Sequence, residues 1–121
     1  MPSWDEIIGN VDNHPNGVLD NIRDEYIRKL SELRGRNVIC YYSGWLQDLQ
    51  GSPYCALSDS DMEGFMTNIH GLDRGKGLDL ILHTPGGDLA AAENLVNYLR
   101  ACFDTDIVAF VPHLCMSAGT M

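Results

Sequence analysis

Basic residues are scarce in this 121-residue chain: 8 Lys and Arg stand against 17 Asp and Glu, a formal net charge of −9. Phosphate binding needs a concentrated cationic surface, so no nucleic-acid partner is expected. Docking on an anionic membrane leaflet is disfavoured for the same reason. No apolar run approaches the roughly 18 residues that a membrane span needs. The opening segment MPSWDEIIGNVDNHPNG is acidic and broken by Gly and Pro, so it lacks the basic start and apolar stretch of a secretory signal. Cysteine is confined to Cys40, Cys55, Cys102 and Cys115, with no CxxC spacing and no His pair nearby. Neither a metal nor a cofactor is therefore expected. Three of the four lie in apolar stretches, where buried free thiols are the expectation, and this usage fits a reducing, cytoplasmic location.

What remains is ordinary globular composition, 45% apolar and 21% charged, in a length suited to one domain. Residues 1–17, rich in Asn, Pro and Gly, form an extended or poorly ordered arm. From Val18 the apolar positions Leu19, Ile22, Tyr26, Ile27, Leu30 and Leu33 follow helical spacing and stop near Gly35. NVICYYSGW (37–45) is β-branched and aromatic, hence a strand, and a long loop follows it. Ser60 and Glu63 have capping-box spacing, and Met62, Met66 and Ile69 share a face, which predicts a helix over 60–70. In GLDRGKG no helix starts at the end of the Gly-rich run, so Arg74 and Lys76 are turn residues facing water.

LDLILH (78–83) is a near-continuous apolar run, which predicts a strand buried on both faces. A TPGGD turn leads into a helix over 89–102 with Leu95 and Leu99 aligned. DIVAFVP (106–112) reads as a second buried strand. Strand, helix and strand at this spacing predict an α/β fold with a parallel βαβ crossover. Two Gly-bearing turns, HTPGGD and CMSAGT, then follow the carboxyl ends of consecutive parallel strands, where ligands of open sheets bind. Gly86 and Gly87 permit positive φ and close backbone approach, and their N–H groups can converge on one point. Ser117 sits between a strand and an expected helix start, and the N–H of Ala118 is a second donor by the logic of nucleophile elbows. The pair permits acyl transfer. Taken singly, each turn has a plainer role: PGG shapes a loop, and a serine before a helix is an N-cap.

DLILHTPGGDLAAAENLVNYLR followed by VAFVPHLCMSAGTM resembles the serine dehydrogenase proteinase family, a branch of the Clp protease and signal peptide peptidase A group with the Clp/crotonase fold. VICYYSG and LSDSDMEGFM are similar to the family's preceding strand and the helix after it, so the resemblance covers roughly 18–121. It implies a serine protease working on peptide or protein substrates through an acyl-enzyme. Ser117 matches the nucleophile, the backbone of Gly87 and Ala118 the oxyanion donors, and Gly86 the turn-shaping glycine. His83 belongs to the turn motif as a turn-stabilising or pocket residue. Relatives assemble as rings or stacks, which implies a homo-oligomer.

A serine needs a base, and the wider group supplies His with Asp, or Lys, downstream of the nucleophile. Among upstream candidates, neither His113, His83, His14, His70, Lys29 nor Lys76 is placed as one. Residues 18–121 are accordingly expected to be the amino-terminal portion of a longer protease domain, inactive alone. Two other functions stay open from the residues: a crotonase-type enzyme binding acyl-CoA, and a non-catalytic peptide-binding or assembly protein.

Overall fold

The computed structural model describes Ser3, Asp5, Glu6, Gly9 and residues 18–46 and 55–121. The chain divides into two units, Met1–Arg34 and Gly35–Met121. In the first, Ser3 and Glu6 form a reciprocal capping box: the Ser3 N–H donates to Glu6 Oε2 (2.8 Å) and the Glu6 N–H to Ser3 Oγ (3.2 Å). Asp5, Glu6 and Gly9 are helical, and the rest of the predicted arm lies outside the described residues. Helix α1 spans Val18–Arg34, with Asp20 in its first turn and Arg34 in its last, both favourable to the helix dipole. Glu25 and Lys29 pair across one turn at 2.6 Å, and Lys29 also lies 5.1 Å above the Tyr26 ring. Leu33, expected on the apolar stripe, is 84% exposed.

The second unit carries β1 (Asn37–Tyr42), α2 (Ser60–Ile69), β2 (Leu78–His83), α3 (Leu89–Phe103) and β3 (Ile107–Phe110). The three strands form one sheet in the order β1-β2-β3. Both pairings are parallel, with Asn37 opposite Leu78 and Leu78 opposite Ile107. The fold is thus the α/β arrangement expected, with β2 at the centre. Parallel neighbours need a crossover, and α3 supplies the one between β2 and β3.

Alternation sorts the strands into two faces. Ile39, Leu78 and Leu80 join Phe65 and Ile69 of α2 and Leu95, Leu99 and Phe103 of α3 in the core. The other face carries Cys40, Tyr42, Ile81 and His83. Four expectations need correction. β3 is shorter than the apolar run and is not a buried strand: Val108 is 38% exposed, and Ile107 and Phe110 are only partly covered. It lies at the outer position of the three-stranded sheet, where neighbours cover one side only. In α2 the buried stripe runs through Met62, Phe65 and Ile69, while Met66 faces outward. The expected Ser60–Glu63 capping box is not formed: the N-cap is Asp59, which makes no side-chain capping bond, and Asp61 Oδ2 accepts from the N–H of Ser58, just ahead of the helix, at 2.8 Å. Among the thiols, Cys40 is exposed and the other three are partly covered.

At the amino ends of the strands one guanidinium ties all three. Arg36 Nε donates to Asp79 (2.6 Å), Nη1 to Asp106 (2.5 Å), and Nη2 to the carbonyls of Leu78 and Asp106 (3.0 Å each). Gly77 (φ +71) lets the chain pass this cluster, since a Cβ there would lie 2.6 Å from Asp106 Cγ and 2.7 Å from Arg36 Nη1. Arg74 and Lys76 sit exposed on a 3-10 turn, as expected. Among the described residues no helix is long and apolar enough to cross a membrane. Nor do three or more His, Cys, Asp or Glu side chains among them group as metal ligands.

Candidate active site

Beyond the carboxyl ends of β1, β2 and β3 the ladders continue as single bridges. The Ser43 N–H donates to the His83 carbonyl (2.8 Å), after which the chain leaves the sheet. It returns where Ser43 Oγ donates to the Cys55 carbonyl at 2.5 Å. The long loop expected here has residues 47–54 outside the described ones. Leu57 then takes the place that a longer β1 would hold and pairs in parallel with Gly87. Its N–H donates to the Gly86 carbonyl (2.8 Å), and its carbonyl accepts from the Asp88 N–H (2.9 Å).

That bridge fixes the orientation of Gly87. In a parallel ladder the flanking carbonyl and N–H face the partner, so the N–H of the residue between them faces the opposite way. The Gly87 N–H therefore points away from Leu57 and finds no hydrogen-bond acceptor among the described residues. A side chain at 87 would run into the Leu57 backbone, whose Cα would be 2.8 Å from the new Cβ. Asp88 closes the turn as N-cap of α3, its carboxylate accepting from the Ala90 N–H at 3.0 Å.

On the other side of β2, Thr84 pairs with Cys115. From Ile81 opposite Phe110 to Thr84 opposite Cys115, β2 advances by fewer residues than its neighbour, so residues 111–113 bulge outward. The strand-like segment ends at Met116 (φ −124, ψ 160), and a 3-10 turn, Ser117–Thr120, begins at once. Ser117 has φ +52, one of two non-glycine residues at positive φ in the described chain. Its carbonyl accepts from Thr120 Oγ1 (2.7 Å), which braces the turn. Ser117 is exposed whereas Ala118 is buried, and the Ala118 N–H has no acceptor among the described residues.

The two turns touch. Gly86 has φ +92, and a Cβ there would fall 2.6 Å from Ser117 Cβ, 2.6 Å from the Met116 carbonyl oxygen and 2.9 Å from the Ala118 nitrogen. Glycine at 86 is thus required twice, by conformation and by the approach of the serine turn. An exposed hydroxyl on a strained strand-to-helix junction, beside two unpaired backbone N–H groups, suits attack on a carbonyl whose oxygen becomes negative.

His83 is placed elsewhere. Thr84, with Leu80 and Leu82, lines the helix-covered face, and His83 turns to the opposite one. There its ring, 6% exposed, stacks on Tyr42 (4.8 Å), Trp45 (6.2 Å) and His113 (5.6 Å). Its Nδ1 is buried and has no hydrogen-bond partner among the described residues. The two histidines nearest the turns in sequence therefore meet each other. Among the described residues of this unit, no His, Lys, Asp or Glu side chain hydrogen-bonds the Ser117 hydroxyl.

Next to the serine turn an apolar groove of about 650 Å³ opens on the helix-covered face, walled by Leu80, Leu82, Leu95, Leu99, Ala118 and Thr120. At its rim Cys115 Sγ donates to the Gly119 carbonyl (2.9 Å), and burial pushes the thiol pKa up. Tyr41 lies in the same groove. Its phenol donates to Asp61 (3.2 Å), and burial, followed by the Asp61 charge, raises its pKa well above the usual value. Sequence reasoning passed over Thr84 and Leu57. The Thr-x-Gly spacing of an ST-turn was a readable signal for the first, whereas the pairing of Leu57 needed the fold.

The model of the family described as ClpP-like SDH-type serine proteinase matches residues 14–121. The uncharacterized protein MJ0137 of Methanocaldococcus jannaschii is 34% identical over 101 residues, covering 82% of this chain. The chain spans about a third of that relative, 35% of its length. No solved structure matches. With the family model spanning both turns and the whole three-stranded sheet, the chain belongs to the ClpP-like SDH-type serine proteinases.

Proposed function

We propose that Ser117 is the nucleophile of a peptide-bond hydrolase, and that the backbone N–H groups of Gly87 and Ala118 hold the oxyanion of its tetrahedral intermediates. The observation that carries the reading is the contact of the two turns. Gly86 packs against Ser117, while the neighbouring Gly87 and Ala118 N–H groups have no acceptor among the described residues. Ser117 Oγ attacks the scissile carbonyl carbon, the oxygen takes the charge, and collapse expels the amine and leaves an acyl-enzyme that water cleaves. The hydroxyl proton needs an acceptor, and none of the described side chains of this unit is bonded to it. Residues 1–121 alone are therefore expected to turn over no peptide.

A fluorophosphonate probe tests both statements, with the labelled peptide located by mass spectrometry. In the full natural chain the probe is expected on Ser117, and Ser117→Ala is expected to abolish labelling. Labelling that persists in Ser117→Ala overturns the assignment. Rapid labelling of residues 1–121 alone overturns the claim that they lack a working base.

A further inference from the structure

The two turns come from different segments, yet a reaction at Ser117 needs their spacing held to a fraction of an ångström. We propose that Thr84 is the positioning residue that locks the glycine turn to the serine turn, through its backbone on one side and its hydroxyl on the other. This rests on the reading of Ser117 as nucleophile.

Thr84 stands at the branch point between the segments. Its N–H donates to the Leu114 carbonyl (3.2 Å), and its carbonyl accepts from the Met116 N–H (3.1 Å). The backbone of residue 84 is thereby fixed to both sides of Cys115, two residues before Ser117. Its hydroxyl faces the other turn and accepts from the Gly86 N–H at 3.1 Å. That bond holds Gly86 at φ +92, the conformation that presents the Gly87 N–H away from Leu57. The methyl group completes the contact, because a Cβ on Gly119 would lie only 2.6 Å from Thr84 Cγ2. Three parts of one side chain and its backbone thus touch three segments.

Burial makes the arrangement stiff. Thr84 is 1% exposed, so without its hydroxyl the Gly86 N–H would be left with no acceptor in a place water does not reach.

Valine has the shape of threonine without the hydroxyl, and serine has the hydroxyl without the methyl, so the two substitutions separate the roles. In the full natural chain, Thr84→Val is expected to slow acylation of Ser117 by a fluorophosphonate by about tenfold to a hundredfold, the range of a small misplacement of reacting groups. With a peptide substrate the loss falls in kcat and leaves KM near its original value, and Thr84→Ser recovers most of the rate. Acylation of Thr84→Val at the unaltered rate overturns the inference. A loss that thermal denaturation traces to unfolding overturns it also, unless Thr84→Ser at equal stability restores the rate. Amide hydrogen exchange supplies a readout that does not depend on chemistry. Thr84→Val should expose the Gly86 N–H to exchange while β1 and β2 keep their protection, and unchanged protection at Gly86 overturns the lock. If the unaltered protein takes no label at Ser117, the nucleophile assignment falls while the exchange result still decides the lock.

Discussion

Ser117 holds a conformation that serine does not choose. At φ +52 its Cβ crowds the backbone, and non-glycine residues in this region cost about 1–3 kcal/mol each. The surroundings keep it there: the Thr120 hydroxyl holds its carbonyl, and the Gly86 turn fills the space behind it. The result lifts the hydroxyl into solvent while Ala118 stays buried. This strain is testable apart from any activity. Ser117→Gly is expected to be more stable than Ser117→Ala by about 1 kcal/mol, because glycine takes positive φ without a Cβ penalty. Urea denaturation of the two variants measures the difference, and equal midpoints would mean that the backbone at 117 is relaxed. Neither variant keeps the hydroxyl, so the comparison isolates conformation from chemistry.

At the scale of elements, β1 and α2 are joined by a polar contact inside an otherwise apolar layer. Tyr41 packs its ring 5.7 Å from Phe65 and gives its hydroxyl proton to Asp61 at the head of α2. Burial and the adjacent carboxylate both oppose ionisation, so the folded phenol holds its proton to higher pH than the unfolded one. The sign follows from linkage. Below about pH 10, the ordinary value for tyrosine, both states are protonated and the contribution is complete. Above it the unfolded chain releases a proton that the folded chain retains, so stability falls as pH rises towards the folded value. Tyr41→Phe should flatten that part of the alkaline decline, and urea midpoints at pH 8 and pH 10.5 for both proteins would reveal it. Parallel slopes would show that Tyr41 ionises alike in both states.

The elements themselves were legible in the sequence where periodicity and punctuation agreed. Helix α3 follows from its Ala and Leu spacing and its Asp88 cap, and β2 from its unbroken apolar run. The 106–112 run misled because an apolar sequence reports what a strand can bury, and β3 has a neighbour on one side only. In α2 the choice between Met66 and Phe65 as the inward residue is made by tertiary packing, where Phe65 meets the Tyr41 ring. The site was partly readable: the glycines and the serine stand out, and their meeting follows from neighbouring parallel strands. What no local pattern holds is the positive φ of Ser117, the bridge of Leu57 to Gly87, or the turning of His83 onto Tyr42 and His113. Each arises from contacts made by distant segments.

Across the molecule, the sheet of the Gly35–Met121 unit separates two tasks by its ends. The two Gly-bearing turns and Ser117 gather beyond the carboxyl ends of the strands, and a charged clasp holds the amino ends. Asp79 in the clasp is completely buried, and Arg36 is 17% exposed. A carboxylate so placed is tolerable only while its cation stays, and removing either partner leaves the other in a poor environment. Exposed pairs behave differently, since water screens them and they contribute little. Asp79→Ala should therefore lower the urea midpoint far more than Glu25→Ala, which removes an exposed pair on α1. Raising salt should not narrow that gap, because the buried pair is weakly screened whereas the exposed Glu25–Lys29 pair loses what little it contributes. Ser117 labelling in the fraction of Asp79→Ala that remains folded should match the unaltered protein, because the clasp and the serine turn lie at opposite ends of β2. Equal midpoints for Asp79→Ala and Glu25→Ala would show that the Arg36 clasp adds nothing to the fold. Labelling lost in step with Asp79 while the chain stays folded would show that the two ends of the sheet are coupled.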